Sequence, residues 1–278
     1  MTLFLAGSLP GSALLHLRKL CFFGMICRLP TNILHRHALN IFNRETISNK
    51  SWFHQIRHIC LQYNLPHPAE LLRAQLPKEQ FKKLVKSHVI DNWENLLREE
   101  SKALPSLCFF FPNFMSLSKP HPIWWTAGSS PDQIAMATIQ ARMISGRFRT
   151  AALCSHWSSN SNGNCQLSDS CSNTSEDILH ILAHCVALQP TRQKLYSYTK
   201  NYCMNVSPVT KNIVEQFCTQ SSQTFCQFLL DCSVLPVVIR AVQEEGDEVL
   251  CRLFTLTRTW VYTLHKERLK KLGRWNIK

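Results

Sequence analysis

A chain of 278 residues with 45% hydrophobic residues can bury a substantial core, as one large domain or two smaller ones. Its formal net charge of +13 favours a polyanionic partner, either nucleic acid or an acidic membrane surface. The thirteen cysteines are odd in number and scattered, which excludes the pattern of a small disulfide-bonded secreted protein.

Neither secretion nor membrane insertion is indicated by the pattern of charges. The uncharged stretch 2–15 differs from a signal peptide because Pro10 interrupts it and no basic segment precedes it. No apolar run reaches the length of a membrane span. We therefore predict an intracellular protein, in the nucleus or the cytoplasm, that has no membrane partner and whose cysteines are mostly buried thiols.

Apolar residues recur at helical spacing, and alternation typical of strands is almost absent. Segment 14–43 predicts two short helices, interrupted at Gly24 and again by Pro30. Further helices are predicted from Ser51 to Tyr63, from Pro77 to Leu97, from Ser130 to Gly146, from Thr224 to Asp231 and from Asp247 to Leu272. The stretch between the second and third of these, 104–128, is predicted to be irregular and packed by its Phe and Trp side chains.

Segment 165–185 carries thiol and imidazole groups in the order and spacing of a zinc site. Cys165 and Cys171 lie in a polar loop, and His180 and Cys185 follow on a predicted helix whose cap and first turn are 174–177. A loop this polar cannot be ordered by an apolar core, so we expect a metal ion to order it. The gap between the two cysteines is wider than the usual spacing of about two to four residues.

The ligand set has alternatives. His184 lies one α-helical turn after His180, whereas Cys185 requires the helix to end or tighten at its last turn. The affinity of zinc for thiolate favours Cys185 and leaves His184 as the substitute. Cys154 and His156 are close enough in sequence to compete as ligands. An incidental grouping in a cysteine-rich chain is the simplest competing interpretation.

Three short motifs occur in an order typical of one protein family. Segments 15–30 (LHLRKLCFFGMICRLP), 140–150 (QARMISGRFRT) and 176–185 (EDILHILAHC), with Arg192 downstream, resemble the C-terminal part of non-LTR (LINE-type) retrotransposon reverse transcriptases. The first resembles the stretch that follows the polymerase core, and the others resemble parts of the Cys-Cys-His-Cys module and its approach. In this order the motifs cover most of the chain.

The resemblance implies that Cys165, Cys171, His180 and Cys185 hold a structural zinc ion. With the basic charge, it implies binding of RNA or single-stranded DNA with little sequence specificity, beside the polymerase portion of a parent protein. The side chains expected to contact nucleic acid are Arg18, Lys19, Arg28, Arg142, Arg147, Arg149, Lys270, Lys271 and Arg274. Trp157 either stacks on a base or, as we favour, covers the metal site.

Catalysis is not expected. Polymerases of this family hold two magnesium ions with clustered aspartates, and the chain contains no Asp-Asp pair. The Pro131-Asp132 pair is similar to a restriction-like nuclease motif, but no carboxylate follows it before Asp169. Asp132 is better explained as an acidic residue in the first turn of a helix.

These features predict a mainly α fold, with helical segments flanking a small loop-plus-helix zinc module. The expected regions are a basic helical segment (1–48), a helical region (49–103), an irregular aromatic connector (104–128), a helix plus the zinc module (129–200) and a C-terminal helical region with a basic end (201–278). The predicted function is a non-catalytic reverse transcriptase fragment that binds zinc and nucleic acid. The alternatives are a zinc-stapled interaction module that docks through the apolar stripe from Val249 to Leu264, or a retroelement remnant without function.

Overall fold

The computed structural model describes residues 2–30, 33–43, 51–157 and 162–273. Nearly all regular structure in these ranges is helical, so the predicted mainly α class is confirmed. The only β pairing among them is an antiparallel bridge between Asn164 and Ser175. None of the helices within these ranges combines the length and the apolar character needed to cross a membrane. The boundary expected between 48 and 49 lies outside the described residues.

The described residues form the following α-helices in chain order. They are α1 (Thr2–Ala6), α2 (Gly11–Cys27), α3 (Ile33–Asn43), α4 (Trp52–Gln62), α5 (Pro68–Ala74), α6 (Lys78–Lys102), α7 (Pro122–Trp125), α8 (Pro131–Ile144), α9 (Ala151–Ser155), α10 (Gln189–Cys203), α11 (Pro208–Cys218), α12 (Ser222–Leu230), α13 (Pro236–Glu245) and α14 (Glu248–Lys271). Single 3₁₀ turns lie at Pro105–Leu107, Pro112–Phe114, Asp169–Cys171, Val186–Leu188 and Cys232–Val234, and a π-helical turn lies at His180–His184.

The chain forms two compact units. The N-terminal unit comprises Ala6–Ala103 and Ser116–Lys119, and the C-terminal unit comprises the described residues of Met1–Leu5, Leu104–Met115 and Pro120–Lys278. All thirteen cysteines lie in described residues; none forms a disulfide, and most are buried.

Helix α2 is the centre of the N-terminal unit, where it contacts α3, α4, α5 and α6. The predicted break at Gly24 is wrong, because α2 runs through this residue and ends at Cys27, before Pro30. A Cβ atom on Gly24 would lie 2.4 Å from Cε1 of Phe81 on α6. The glycine therefore permits the close approach of two helices and does not end one of them.

Helix α14 is the centre of the C-terminal unit, where it contacts α8, α10, α11, α12 and α13. Trp260 is fully buried on this helix, edge-on to the rings of Tyr196 and Phe225. Its Nε1 donates a hydrogen bond to Oγ1 of Thr199 at 2.8 Å. Because an indole N–H is costly to bury without an acceptor, this bond specifies how α10 and α14 meet.

The aromatic connector is partly ordered by helical turns. Phe109 and Phe110 are buried in the C-terminal unit, as expected, but Phe111 and Trp125 are each 40% exposed and do not pack the segment as predicted. α7 interrupts its irregular course. The connector therefore contributes Phe109 and Phe110 to the core, and Trp124 is partly buried.

The close contact at Gly24 makes a testable prediction about stability. Gly24→Ala is expected to lower the free energy of unfolding by roughly 1–3 kcal/mol, because the added methyl group overlaps the Phe81 ring. Gly11→Ala on the same helix is the matched control, since a Cβ there meets nothing within 4 Å. Chemical denaturation monitored by circular dichroism gives both values. Equal stability of the two variants would contradict the close helix packing.

Candidate metal centre

Four side chains from two segments meet at one point in the C-terminal unit. The ligand atoms of Cys165, Cys171, His180 and Cys185 all lie within 4.8 Å of one another, and all four residues are buried. The Sγ atom of Cys165 is 3.4 Å from that of Cys171 and 3.9 Å from that of Cys185. A disulfide bond would require about 2.05 Å, so these are separate thiols. They are close enough to hold a metal ion.

The sulfur spacing is that of a tetrahedral site. Sulfur atoms about 2.3 Å from a metal ion and at tetrahedral angles to it are about 3.8 Å apart. The two Sγ–Sγ separations, 3.4 and 3.9 Å, lie on either side of this value. The cluster can therefore accept an ion with little movement of its side chains.

Main-chain hydrogen bonds fold the cysteine loop back on itself. The N–H of Cys165 donates to the carbonyl of Thr174 at 2.9 Å, and the N–H of Glu176 donates to the carbonyl of Gly163 at 3.0 Å. Gly163 has a backbone φ angle of +75°, which residues other than glycine rarely adopt. The loop is thus closed at its base without an apolar core of its own.

The helix that carries His180 begins later than the sequence suggested. The predicted cap at Thr174 and Ser175 is wrong, because Oδ1 of Asp177 accepts the N–H of His180 at 2.7 Å. The following turn is π-helical, and the N–H of Cys185 donates to the carbonyl of His180 at 2.7 Å. In a regular α-helix, position i+5 lies about 140° around the axis from position i. The wider turn therefore lets Cys185 reach the side of the helix on which His180 lies.

His180 has the free nitrogens that a metal ligand needs. Both ring nitrogens are buried and neither has a hydrogen-bond partner. Such unpaired burial costs about 1–3 kcal/mol, which a bond to a metal ion would offset. Burial also lowers the pKa of His180, so that the imidazole is neutral and has a lone pair to donate.

The buried thiols are unfavourable places for negative charge in the absence of a cation. Burial raises the pKa of the Cys165 thiol to about 12, and its contacts with Cys171 and Cys185 act in the same direction. Burial likewise raises the pKa of the Cys185 thiol. A divalent cation between the sulfur atoms would reverse this preference, because it stabilises the thiolate form.

Arg192 ties the end of this segment to α10. Its side chain is buried, and the guanidinium donates hydrogen bonds to the carbonyl of Cys185 and to Oε1 of Gln189. Burial lowers the pKa of Arg192, although a guanidinium remains charged at neutral pH. The backbone at Cys185 is therefore held from outside the metal-binding loop.

A buried ion pair connects the cysteine loop to the C-terminal helix. Arg268 on α14 donates to the carboxylate of Glu176 and, at 3.1 Å, to the carbonyl of Arg149. The same carboxylate accepts the N–H of Ala151, the first residue of α9, at 2.9 Å. This pair was not predicted from the sequence. The sequence gives one indication of it. Arg268 follows Leu264 by one helical turn, so periodicity places it on the buried face of α14.

The other candidate ligands do not belong to the group of four that the described residues form. His184 and His156 are exposed, and Cys154 is half-buried. Trp157 is 74% exposed, so the expectation that it covers the metal site is wrong. The π-helical turn explains which residue is the fourth candidate ligand, because it places the side chain of Cys185 in the buried cluster and leaves the side chain of His184 exposed.

The basic residues predicted to contact nucleic acid divide between the two units. Those in the N-terminal unit are Arg18, Lys19 and Arg28. Those in the C-terminal unit are Arg142, Arg147, Arg149, Lys270 and Lys271. The three arginines of the second group line a single pocket, and the two lysines are exposed in the last turn of α14. Arg274 lies outside the described residues.

Comparison of the chain with protein-family models, with curated proteins and with solved structures finds no match. The resemblance to retrotransposon reverse transcriptases therefore stays a prediction that rests on the sequence motifs. The geometry of the metal centre is the feature from which a function can be argued.

The geometry predicts which residues retain metal. Cys165→Ser and His180→Gln are each expected to weaken binding of one metal ion per chain enough for dialysis against a chelator to remove it, because water replaces one of the four protein donors. Cys154→Ser and His184→Gln are the matched controls and should keep the metal. Elemental analysis after dialysis measures the content, and hydrogen exchange should show faster exchange in 162–190 of the metal-free variants only. Full metal content in Cys165→Ser would refute its assignment as a ligand.

The buried ion pair makes a second prediction. Arg268→Met is expected to lower the free energy of unfolding by about 3–5 kcal/mol, because the carboxylate of Glu176 is left buried and unpaired. The double variant Glu176→Gln with Arg268→Met should recover part of that loss. Lys270→Met, an exposed change on the same helix, is the control and should alter stability by less than about 0.5 kcal/mol. A double variant less stable than Arg268→Met would count against the pairing.

Proposed function

We propose that the chain is the non-catalytic C-terminal part of a protein similar to a non-LTR retrotransposon reverse transcriptase. In this proposal a structural zinc ion orders a small module, and basic side chains bind RNA or single-stranded DNA with little sequence specificity. The observation that carries the proposal is the buried cluster of Cys165, Cys171, His180 and Cys185, whose members follow the Cys-Cys-His-Cys order that the resemblance implies.

The donor set favours zinc over other divalent cations. Three thiols and an imidazole are soft or borderline donors, whereas magnesium and calcium prefer oxygen ligands. A set of four protein donors leaves no open position for water or substrate, which is characteristic of structural zinc sites. The expected contribution of the ion is therefore to the stability of the module.

The charge distribution supports nucleic acid as the partner. The chain carries 31 Lys and Arg residues against 18 Asp and Glu residues. In the described part of the chain, Arg142, Arg147 and Arg149 take part in no ion pair, and all three are exposed. Unpaired surface arginines are suited to phosphate contact, which needs no base recognition.

The alternative function, docking onto another chain, requires an exposed apolar surface on α14. That surface would be the apolar stripe from Val249 to Leu264. Within the C-terminal unit, however, Leu253, Phe254 and Val261 are fully buried by the helices around α14. The stripe is consequently core, and the basic surface is the better candidate for an interface.

A salt series tests the nucleic-acid part of the proposal. The full chain, expressed with zinc, is expected to bind a fluorescein-labelled single-stranded RNA at low salt, with an affinity that falls linearly on a plot of log K against log salt concentration. The physical reason is release of the counterions that RNA holds when free. Fluorescence anisotropy gives the affinity, and elemental analysis of the same sample gives the zinc content.

Two binding results would contradict this proposal. Absence of RNA binding at low salt would remove the nucleic-acid function. An affinity that does not change with salt concentration would indicate that RNA binds through apolar contacts and not through its phosphates. Iron, copper or no metal in the purified chain would remove the zinc assignment and leave the binding result unaffected.

A further inference from the structure

A pocket of about 470 Å³ lies between the end of α8 and the end of α14 in the C-terminal unit. Its lining residues are Ile139, Arg142, Arg147, Phe148, Arg149, His265, Arg268 and Leu269. Every charged side chain in the lining is an arginine, and no carboxylate lines it. A concave surface lined by one sign of charge concentrates ligands of the opposite sign.

The backbone at the end of α8 brings the wall arginines together. Gly146 has a φ angle of +65°, so the chain leaves the helix in the left-handed conformation typical of a C-terminal glycine cap. In this cap the N–H of Arg147 donates to the carbonyl of Arg142 at 2.9 Å. The two arginines are therefore neighbours through a main-chain bond, and Arg149 follows two residues later.

The floor of the pocket is formed by side chains that pack on one another. Phe148 is buried, and its ring packs edge-on to the ring of His265, with centroids 5.2 Å apart. The guanidinium carbon of Arg268 lies 5.5 Å from the centroid of Phe148. Arg268 itself donates hydrogen bonds to Glu176 and to the carbonyl of Arg149.

The charges and donors in this pocket are only partly satisfied. Arg268 is neutralised by Glu176, but the three wall arginines have no ion-pair partner in the described ranges. Nε of Arg268 and Nδ1 of His265 are buried without a hydrogen-bond partner. Burial, and to a lesser extent the nearby Arg268 and Arg142, lower the pKa of His265 to about 4. His265 is thus neutral at physiological pH, and the arginines supply the charge.

We propose that this pocket binds successive backbone phosphates of single-stranded nucleic acid. Arg142, Arg147 and Arg149 contact their oxygen atoms from the walls, while Arg268 and His265 form the floor beneath them. The assignment rests on the proposed function, since it locates the phosphate contacts of that same activity. A guanidinium fits the geometry of a phosphate because it can donate two parallel hydrogen bonds.

One observation favours nucleic-acid phosphates over free phosphate. The wall arginines are exposed, and Lys271 is an exposed cation in the last turn of α14, so positive charge extends beyond the pocket as a strand of several phosphates would need. The aromatic ring of the pocket, Phe148, is 5% exposed and offers no face on which a base could stack. Recognition would therefore be of phosphate and independent of sequence.

The test compares two double variants of the full, metal-loaded chain. Arg147→Gln with Arg149→Gln removes two pocket charges. Lys194→Gln with Arg240→Gln removes two exposed charges of the same unit that lie outside the pocket. All four side chains are exposed, and the carbonyl of Arg149 that holds Arg268 is unchanged, so both variants should fold. Circular dichroism and metal content check this.

The first measurement is anisotropy of fluorescein-labelled oligouridylate at several salt concentrations. The pocket variant is expected to bind at least about tenfold more weakly at low salt, because it loses two charged hydrogen-bond donors to phosphate. The slope of log K against log salt concentration should fall in magnitude by about 1.4 for two lost phosphate contacts. The control variant should keep the wild-type slope to within about 0.7.

The second measurement uses inorganic phosphate alone. Phosphate is expected to raise the thermal unfolding midpoint of the wild type and of the control above that in chloride at equal ionic strength, but to leave the pocket variant unchanged. Equal loss of oligouridylate affinity in both double variants would overturn the pocket and leave the nucleic-acid function standing. A phosphate effect that depends on the pocket, in a wild type that does not bind oligouridylate, would overturn the nucleic-acid assignment and the proposed function together.

Discussion

The C-terminal unit depends on one buried ion pair, between Glu176 and Arg268. The carboxylate receives the guanidinium of α14 and the first N–H of α9, and the peptide of the same glutamate closes the cysteine loop at Gly163. A charge removed from water must be paired, so these elements can meet in few other ways. The pair thereby provides a fixed position for a polar loop that has no apolar core of its own.

The metal centre and the ion pair constrain different parts of the same module. The four ligands define the inside of the loop and the π-helical turn, whereas Glu176 and Arg192 attach that module to α14 and α10. Loss of metal should therefore loosen the loop before it separates the helices. Arg268 also lines the floor of the arginine-lined pocket, so it contacts both the module that could hold a metal ion and the surface proposed to hold phosphate.

Part of the helical architecture was predictable from periodicity, because the buried residues of helices such as α4 and α6 recur at helical spacing. In α12, by contrast, consecutive residues are buried. The metal ligands were also predictable, since thiols and an imidazole at this spacing in a polar segment are typical of a structural zinc site. Gly24 was misassigned because its role depends on Phe81, which lies far away in sequence. The helix cap was displaced to Asp177 because the base of the cysteine loop uses the preceding residues for main-chain pairing.

The sequence by itself determined the mainly α class, the basic character and the segment, 165–185, whose thiols and imidazoles can hold a metal ion. These properties depend on local spacing and composition, which are visible without a fold. The tertiary structure decided that Cys185 and not His184 completes the cluster, that Arg268 is paired inside, and that three arginines share a pocket. Each of these depends on a π-helical turn, a buried charge or a glycine cap that meets residues far away in the sequence, and a linear pattern does not specify which distant residues those are.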